Sequence, residues 1–248
     1  MNLTLHEAMS LASELKNISQ EIDASRDGHC TMAVFPPSVY VQPIGKHLRD
    51  SAIIVGAQNC SEYVQGAHTG EVSASMLASI PVSHVIVGHS ERRAMYGDTE
   101  YVVAMKVLRA IEAGLIPIVC IGETLVQREN GSTKSVLESQ LESAVSQCSS
   151  EQKQSIIVAY EPVWAIGSGI AATSDYIAQT HAVIRETLQY AGCDNKEATP
   201  ILYGGSVTSA NAAEIFAVSN VDGALIGGAS LRAASFMEIV HHAILASS

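Results

Sequence analysis

Apolar and polar positions alternate along this chain in two distinct rhythms. Short, nearly continuous apolar runs occur at TMAVF (31–35), AIIVGA (52–57), HVIVG (84–88), IPIVCIG (116–122), SIIVAYE (155–161), PILYGG (200–205) and GALIGG (223–228). Runs of this kind are the pattern of parallel strands covered on both faces. Between them, apolar residues recur at helical spacing, most clearly over 99–112, 133–147, 174–190, 209–217 and 233–246. Shorter helical segments are expected after Pro43 and after Glu71, and Asn130-Gly131 marks a turn. The chain opens on a helix of its own. Thr4 and Glu7 have the spacing of a capping box, and Leu5, Ala8, Met9, Ala12 and Leu15 follow on one face.

The order of these elements predicts a single domain, 1–248, of repeated β–α units, since no Pro- or Ser-rich linker divides the chain. Seven strand runs accompany eight helical segments, and the unpaired helix is the first. An open doubly wound sheet accommodates that count; a closed barrel of eight units would lack its first strand.

Composition narrows the class. With 47% hydrophobic and 16% charged residues, the chain reads as a soluble globular enzyme. Its apolar stretches end well short of the roughly 20 residues needed to span a bilayer. No basic region precedes an apolar core at the start, so no signal peptide is expected. A net charge of −11 disfavours nucleic acid and anionic membrane as partners, yet leaves room for a local site that takes a small anion. The five cysteines, Cys30, Cys60, Cys120, Cys148 and Cys193, are widely spaced with no CxxC pair. Reduced thiols in a cytoplasmic protein fit that spacing; structural zinc does not.

Polar residues cluster just after the strand runs, at the ends that face ligands in parallel α/β folds. Several strands contributing to one rim favour a barrel over an open sheet. In VGHSERR, His89 follows a buried run and Ser90 is placed to cap the next helix. A helix N-terminus lowers a neighbouring histidine's pKa, leaving a neutral imidazole to polarise a carbonyl; a histidine merely satisfied at a strand end is the plainer alternative. In AYEPVWAIGSG, Glu161 ends a very apolar run that would tune it as a base. Pro162-Val163-Trp164 is stiff and Gly167-Ser168-Gly169 is permissive, so Pro162, Val163, Trp164, Ala165, Ile166, Gly167, Ser168 and Gly169 read as a lid. In YGGS and IGGAS, after the last two runs, Gly204, Gly205, Gly227 and Gly228 present backbone N–H groups that would cradle a phosphate, and Ser206 adds a hydroxyl. Together these parts suggest proton abstraction beside a carbonyl on a small phosphorylated substrate. No GxGxxG, Walker loop or metal-ligand spacing is present, so no cofactor and no metal is expected.

The stretches AQNC (57–60), GAHTGEVS (66–73), VGHSERR (87–93), CIGET (120–124), AYEPVWAIGSG (159–169), YGGSV (203–207) and VDGALIGGASL (221–231) resemble the triosephosphate isomerase family, in family order and spacing. The resemblance implies a TIM (β/α)8-type barrel lacking the first β-strand. It also implies an aldose–ketose isomerase acting on dihydroxyacetone phosphate and D-glyceraldehyde 3-phosphate. Glu161 would move the proton, His89 would polarise the carbonyl, and Glu91 would form part of the same site wall. Backbone at Gly167, Ser206, Gly227 and Gly228 would hold the phosphate. Arg185 and Asp222 match an ion pair near the lid, Glu123 matches the acid that Trp164 faces when the lid is open, and the 66–73 loop matches one that docks into a partner, implying a homodimer.

Two departures from the family pattern stand out. The far lid hinge usually reads Lys-Thr-Ala, whereas Ile170-Ala171-Ala172 stands here, which implies altered lid kinetics. The family's first strand ends in Asn-any-Lys-Met-Asn, of which Met1-Asn2 matches only the tail. Loss of that lysine would cost about hundredfold in rate, or more. It keeps open a second reading, a non-catalytic phosphate-binding relative. Runs 31–35 and 223–228 would each lack a neighbour, so the barrel is expected to be open at that seam or filled there by another segment.

Overall fold

The computed structural model describes residues 1–23, 30–166, 172–193 and 199–247. Helix α1 (Leu5–Asp23) starts at the expected box: the Thr4 N–H donates to Glu7 Oε2 at 2.7 Å, and the Glu7 N–H donates to Thr4 Oγ1 at 3.4 Å. The chain continues through β1 (Met32–Val34), α2 (Ser38–Leu48), β2 (Ile53–Ala57), α3 (Ala74–Ala78), β3 (His84–Val87), α4 (Ser90–Met95) and α5 (Glu100–Glu112). Then come β4 (Ile116–Ile121), α6 (Leu125–Glu129), α7 (Thr133–Val145), β5 (Ile157–Tyr160), α8 (Ser174–Tyr190), β6 (Ile201–Tyr203), α9 (Ala212–Phe216), β7 (Gly223–Ala224) and α10 (Ala233–Ala246). Every expected strand run contains a strand.

The described residues form ten α-helices rather than eight, the short α4 and α6 being additional, and two of the expected helices differ in extent. The segment placed after Pro43 instead begins at Ser38 and carries Pro43 in its interior. Proline removes a hydrogen bond there, but Val41, Ile44 and Leu48 are fully buried along one face and hold the helix through it. The helix expected over 209–217 forms only from Ala212. Its first turn is taken up by Asn211, whose Oδ1 accepts from the Thr208 N–H at 2.8 Å and whose Nδ2 donates to Ser206 O at 2.9 Å.

The strands form one parallel sheet in the order β1-β2-β3-β4-β5-β6-β7. Among the described residues, β1 pairs only with β2 and β7 only with β6, so the sheet is open between them. Burial falls away toward this seam: β3 is buried throughout, whereas both residues of β7 are half-exposed. The interior holds Ile86, Ile118, Cys120 and Ala159, with Phe35, Leu202 and Leu225 packed against them. A Cβ at Gly56 would stand 2.1 Å from the Phe35 ring, so glycine there makes room for the aromatic beside the seam.

The helices bridge what the strands leave open. Ala8, Ala12 and Leu15 of α1 share a buried cluster with Val41, Ile44 and Leu48 of α2 and with Phe236, Met237 and Val240 of α10. The helical layer therefore runs unbroken across the seam. All polar rim residues sit after the carboxyl ends of the strands, which fixes where the site lies.

Candidate active site

The site is built from the segments following β3, β4, β5, β6 and β7. Glu161 directly follows β5 and is buried, with its N–H donating to Ile121 O at 2.8 Å. Two glycines make its position possible. A Cβ at Gly122 would lie 1.7 Å from Glu161 O, and one at Gly204 would lie 3.0 Å from Glu161 Cγ. Gly122 is gripped by Gln140 of α7, which accepts from its N–H at 2.8 Å and donates to its carbonyl at 3.3 Å.

The Glu161 carboxylate reaches across to α4. Its Oε1 lies 2.9 Å from His89 Nε2, and its Oε2 accepts from the Ser90 N–H at 2.8 Å. Ser90 is not the cap that the sequence suggests. His89 itself is the N-cap, and its Nδ1 accepts from the Glu91 N–H at 3.3 Å. That contact leaves Nε2 to carry the ring proton toward Glu161.

The lowered pKa expected for His89 is not what this arrangement produces. Burial does push it down, but the hydrogen bond and charge of Glu161, with the charge of Glu91, outweigh burial and hold the imidazole above its ordinary 6.5. The helix terminus alone was too narrow a basis, because the carboxylate facing it comes from a strand end far along the chain. Glu91 projects outward, its side chain 67% exposed and its Oε2 3.9 Å from His89 Nδ1.

The segment after Glu161 turns once as a 3-10 helix at Val163–Ala165. It is tied down at several points. The Val163 N–H donates to Glu123 O at 3.1 Å, Trp164 Nε1–H donates to Glu123 Oε1 at 2.7 Å, and Ser206 Oγ–H donates to Ala165 O at 2.8 Å. Glu123 is fully buried and also accepts from Tyr160 Oη at 3.1 Å and Tyr176 Oη at 2.8 Å. Its neighbourhood raises the pKa of both phenols, burial being the largest cause and the Glu123 charge adding to it. Tyr176 escaped the sequence reading, because nothing in α8 alone marks one tyrosine as facing Glu123. Of the expected lid, Pro162, Val163, Trp164, Ala165 and Ile166 are placed here; Gly167, Ser168 and Gly169 lie outside the described residues.

Gly227 and Gly228 are exposed, and a Cβ at either would meet nothing within 4 Å. Behind this rim, Arg185 and Asp222 form the expected ion pair at 2.6 Å. Among the described residues no lysine contacts Glu161 or His89. Lys106 is buried on Asp98 and Asn59, while Lys16 and Lys153 donate to the His47 and Ala191 carbonyls. No group of three His, Cys, Asp or Glu side chains among the described residues could hold a metal ion.

A parallel β/α-barrel sheet that gathers a histidine–carboxylate pair at its carboxyl rim defines the class, a barrel enzyme. The triosephosphate isomerase family model matches residues 1–243, and the chain belongs to the triosephosphate isomerase family. It is 45% identical over 238 residues to the triosephosphate isomerase of Ralstonia nicotianae, covering 96% of this chain and 95% of that one. It is 49% identical over 211 residues to that of Azoarcus sp., covering 85% and 86%. The crystal structure of triosephosphate isomerase from Bartonella henselae superposes with a TM-score of 0.85 at 37% identity, covering 98% of this chain and 94% of that one.

Proposed function

We propose that this enzyme interconverts dihydroxyacetone phosphate and D-glyceraldehyde 3-phosphate, with Glu161 moving the proton and His89 polarising the carbonyl. The observation that carries the reading is the 2.9 Å pairing of His89 Nε2 with Glu161 Oε1 at the rim. A base and a hydrogen-bond donor that touch each other at one rim can address adjacent carbons of one small substrate. Once the carboxylate turns to the substrate, the main cause of His89's raised pKa is gone. Burial and the start of α4 then favour the neutral ring, which donates from Nε2. Glu91 shapes the His89 end of the site through its N–H and its charge. Backbone at Ser206, Gly227 and Gly228, with Gly167, takes the phosphate; the open space at Gly227 and Gly228 supports this.

A homodimer through the 66–73 loop also fits. Tyr63, Val64 and Met76, which flank that loop in the chain, are exposed apolar side chains, a surface a second copy would cover. Five free thiols support a reducing, cytoplasmic setting, and no helix of the described residues is long and apolar enough to cross a membrane.

The second reading is a phosphate-binding relative without turnover; it draws on the described residues, among which no lysine contacts Glu161. A coupled isomerase assay separates the two. Turnover that falls about hundredfold or more in Glu161→Asp, with an unchanged circular dichroism spectrum, supports the isomerase reading. Wild-type protein that binds inorganic phosphate but turns nothing over supports the second.

A further inference from the structure

We propose that Arg128 is a positioning residue that clamps the Trp164 indole against Glu123 and so holds the segment after Glu161 in the arrangement in which Glu161 pairs with His89. The inference rests on the reading of Glu161 as the base. Trp164 is held from two directions. Glu123 takes its edge through the indole N–H at 2.7 Å, and Arg128 covers its face with Cζ 3.8 Å from the ring centroid. The same guanidinium lies 4.7 Å from the Tyr176 ring, which meets Trp164 edge-on at 5.6 Å. Both distances are within the range of attraction between a cation and an aromatic face. Among the described residues Arg128 forms no ion pair, so its charge is directed at these two rings.

One helix turn fixes both jaws. Thr124 caps α6 through a full capping box with Gln127, and the Arg128 N–H donates to Thr124 O at 3.0 Å. Glu123 immediately precedes that cap, so Glu123 and Arg128 are rigidly spaced by α6 itself. What they grip is three residues from Glu161 and shares its backbone run. In this arrangement the Glu161 carboxylate is occupied by His89 and the Ser90 N–H. A carboxylate that is to reach a substrate carbon must leave both, and the gripped segment must yield with it. A ligand that needs that rearrangement therefore competes with the clamp.

Trp164 is the one tryptophan in the chain, so its emission reads the clamp directly. In ligand-free Arg128→Leu the emission is expected to shift to the red, with acrylamide quenching rising about twofold. KM for glyceraldehyde 3-phosphate is expected to fall about two- to fivefold, with kcat changing less. Arg128→Lys keeps the charge without the flat stack and is expected between Leu and wild type. Emission, quenching and KM that match wild type in Arg128→Leu would overturn the proposal. So would a fall in kcat with unchanged KM and Lys no better than Leu, since that is mere structural damage. Emission requires no turnover. An inactive wild type would sink the isomerase reading while leaving this test in force.

Discussion

Nε2 of His89 and Oε1 of Glu161 stand 2.9 Å apart, so the two groups satisfy each other. This pairing makes His89 a better proton acceptor than an isolated ring. A nuclear magnetic resonance titration should place its pKa above 6.5, and Glu161→Gln should bring it down. The sign for stability follows. The pair contributes fully below the unfolded pKa and its contribution is lost as pH rises through the raised folded value. A His89 pKa unmoved by Glu161→Gln would show that the carboxylate is not its cause.

His181 gives the opposite pH dependence. It is fully buried under Tyr160, its Nδ1–H donates to Asn220 O at 2.9 Å, and burial pushes its pKa down to about 4. The unfolded chain then takes up this proton between pH 6.5 and about 4 while the folded one does not. Stability should fall by up to about 3 kcal/mol across that window as pH drops. Denaturant midpoints measured from pH 7 to pH 4 check this, with His181→Phe expected to flatten the slope.

Lys106 is 1% exposed and joins two elements behind the site. Its Nζ lies 2.7 Å from Asp98 Oδ2 and 3.0 Å from Asn59 Oδ1, and Arg92 holds the same carboxylate from α4. Lys106→Met fills the volume but leaves Asp98 with one cation and Asn59 without its donor. The expected loss is about 3 kcal/mol in chemical denaturation. A loss under about 0.5 kcal/mol would mean that Arg92 alone suffices.

Gly122→Ala tests how tightly Glu161 is seated. The added methyl would fall 1.7 Å from a backbone oxygen, which no side-chain rotation relieves. The variant should lose on the order of 3 kcal/mol, and its turnover should fall further than stability alone explains. Wild-type thermal midpoint and turnover would show that the β4 and β5 ends can part freely.

The barrel was legible because its strands announce themselves. Runs such as HVIVG and IPIVCIG are apolar on both faces, and no other element of a small α/β protein needs that. Thr4 and Glu7 were legible for the same local reason. Pro43 misled, since a proline's local preference gave way to the burial of Val41, Ile44 and Leu48. At the site, Glu161 and His89 were visible as candidates, but the proton affinity of His89 was not. It depends on a carboxylate that only the pairing of β3, β4 and β5 brings near. Arg128 and Tyr176 were hidden for the same reason. Tyr176 sits on the amphipathic α8 and Arg128 on the five-residue α6, where a tyrosine and an arginine are unremarkable until Trp164 lies between them.

The helical layer closes through α1 against α10, the first and last helices in chain order, while every strand pairs with its immediate neighbour in sequence. Contacts between distant segments cost the most chain entropy to form. The β–α units can therefore assemble one after another as local pieces, and the ring is sealed last, by a single helix-to-helix joint. Hydrogen exchange should accordingly find the amides of α1 and β1 opening before those of β3 and β4, with the barrel unwrapping from that joint in the reverse of the order in which it was built.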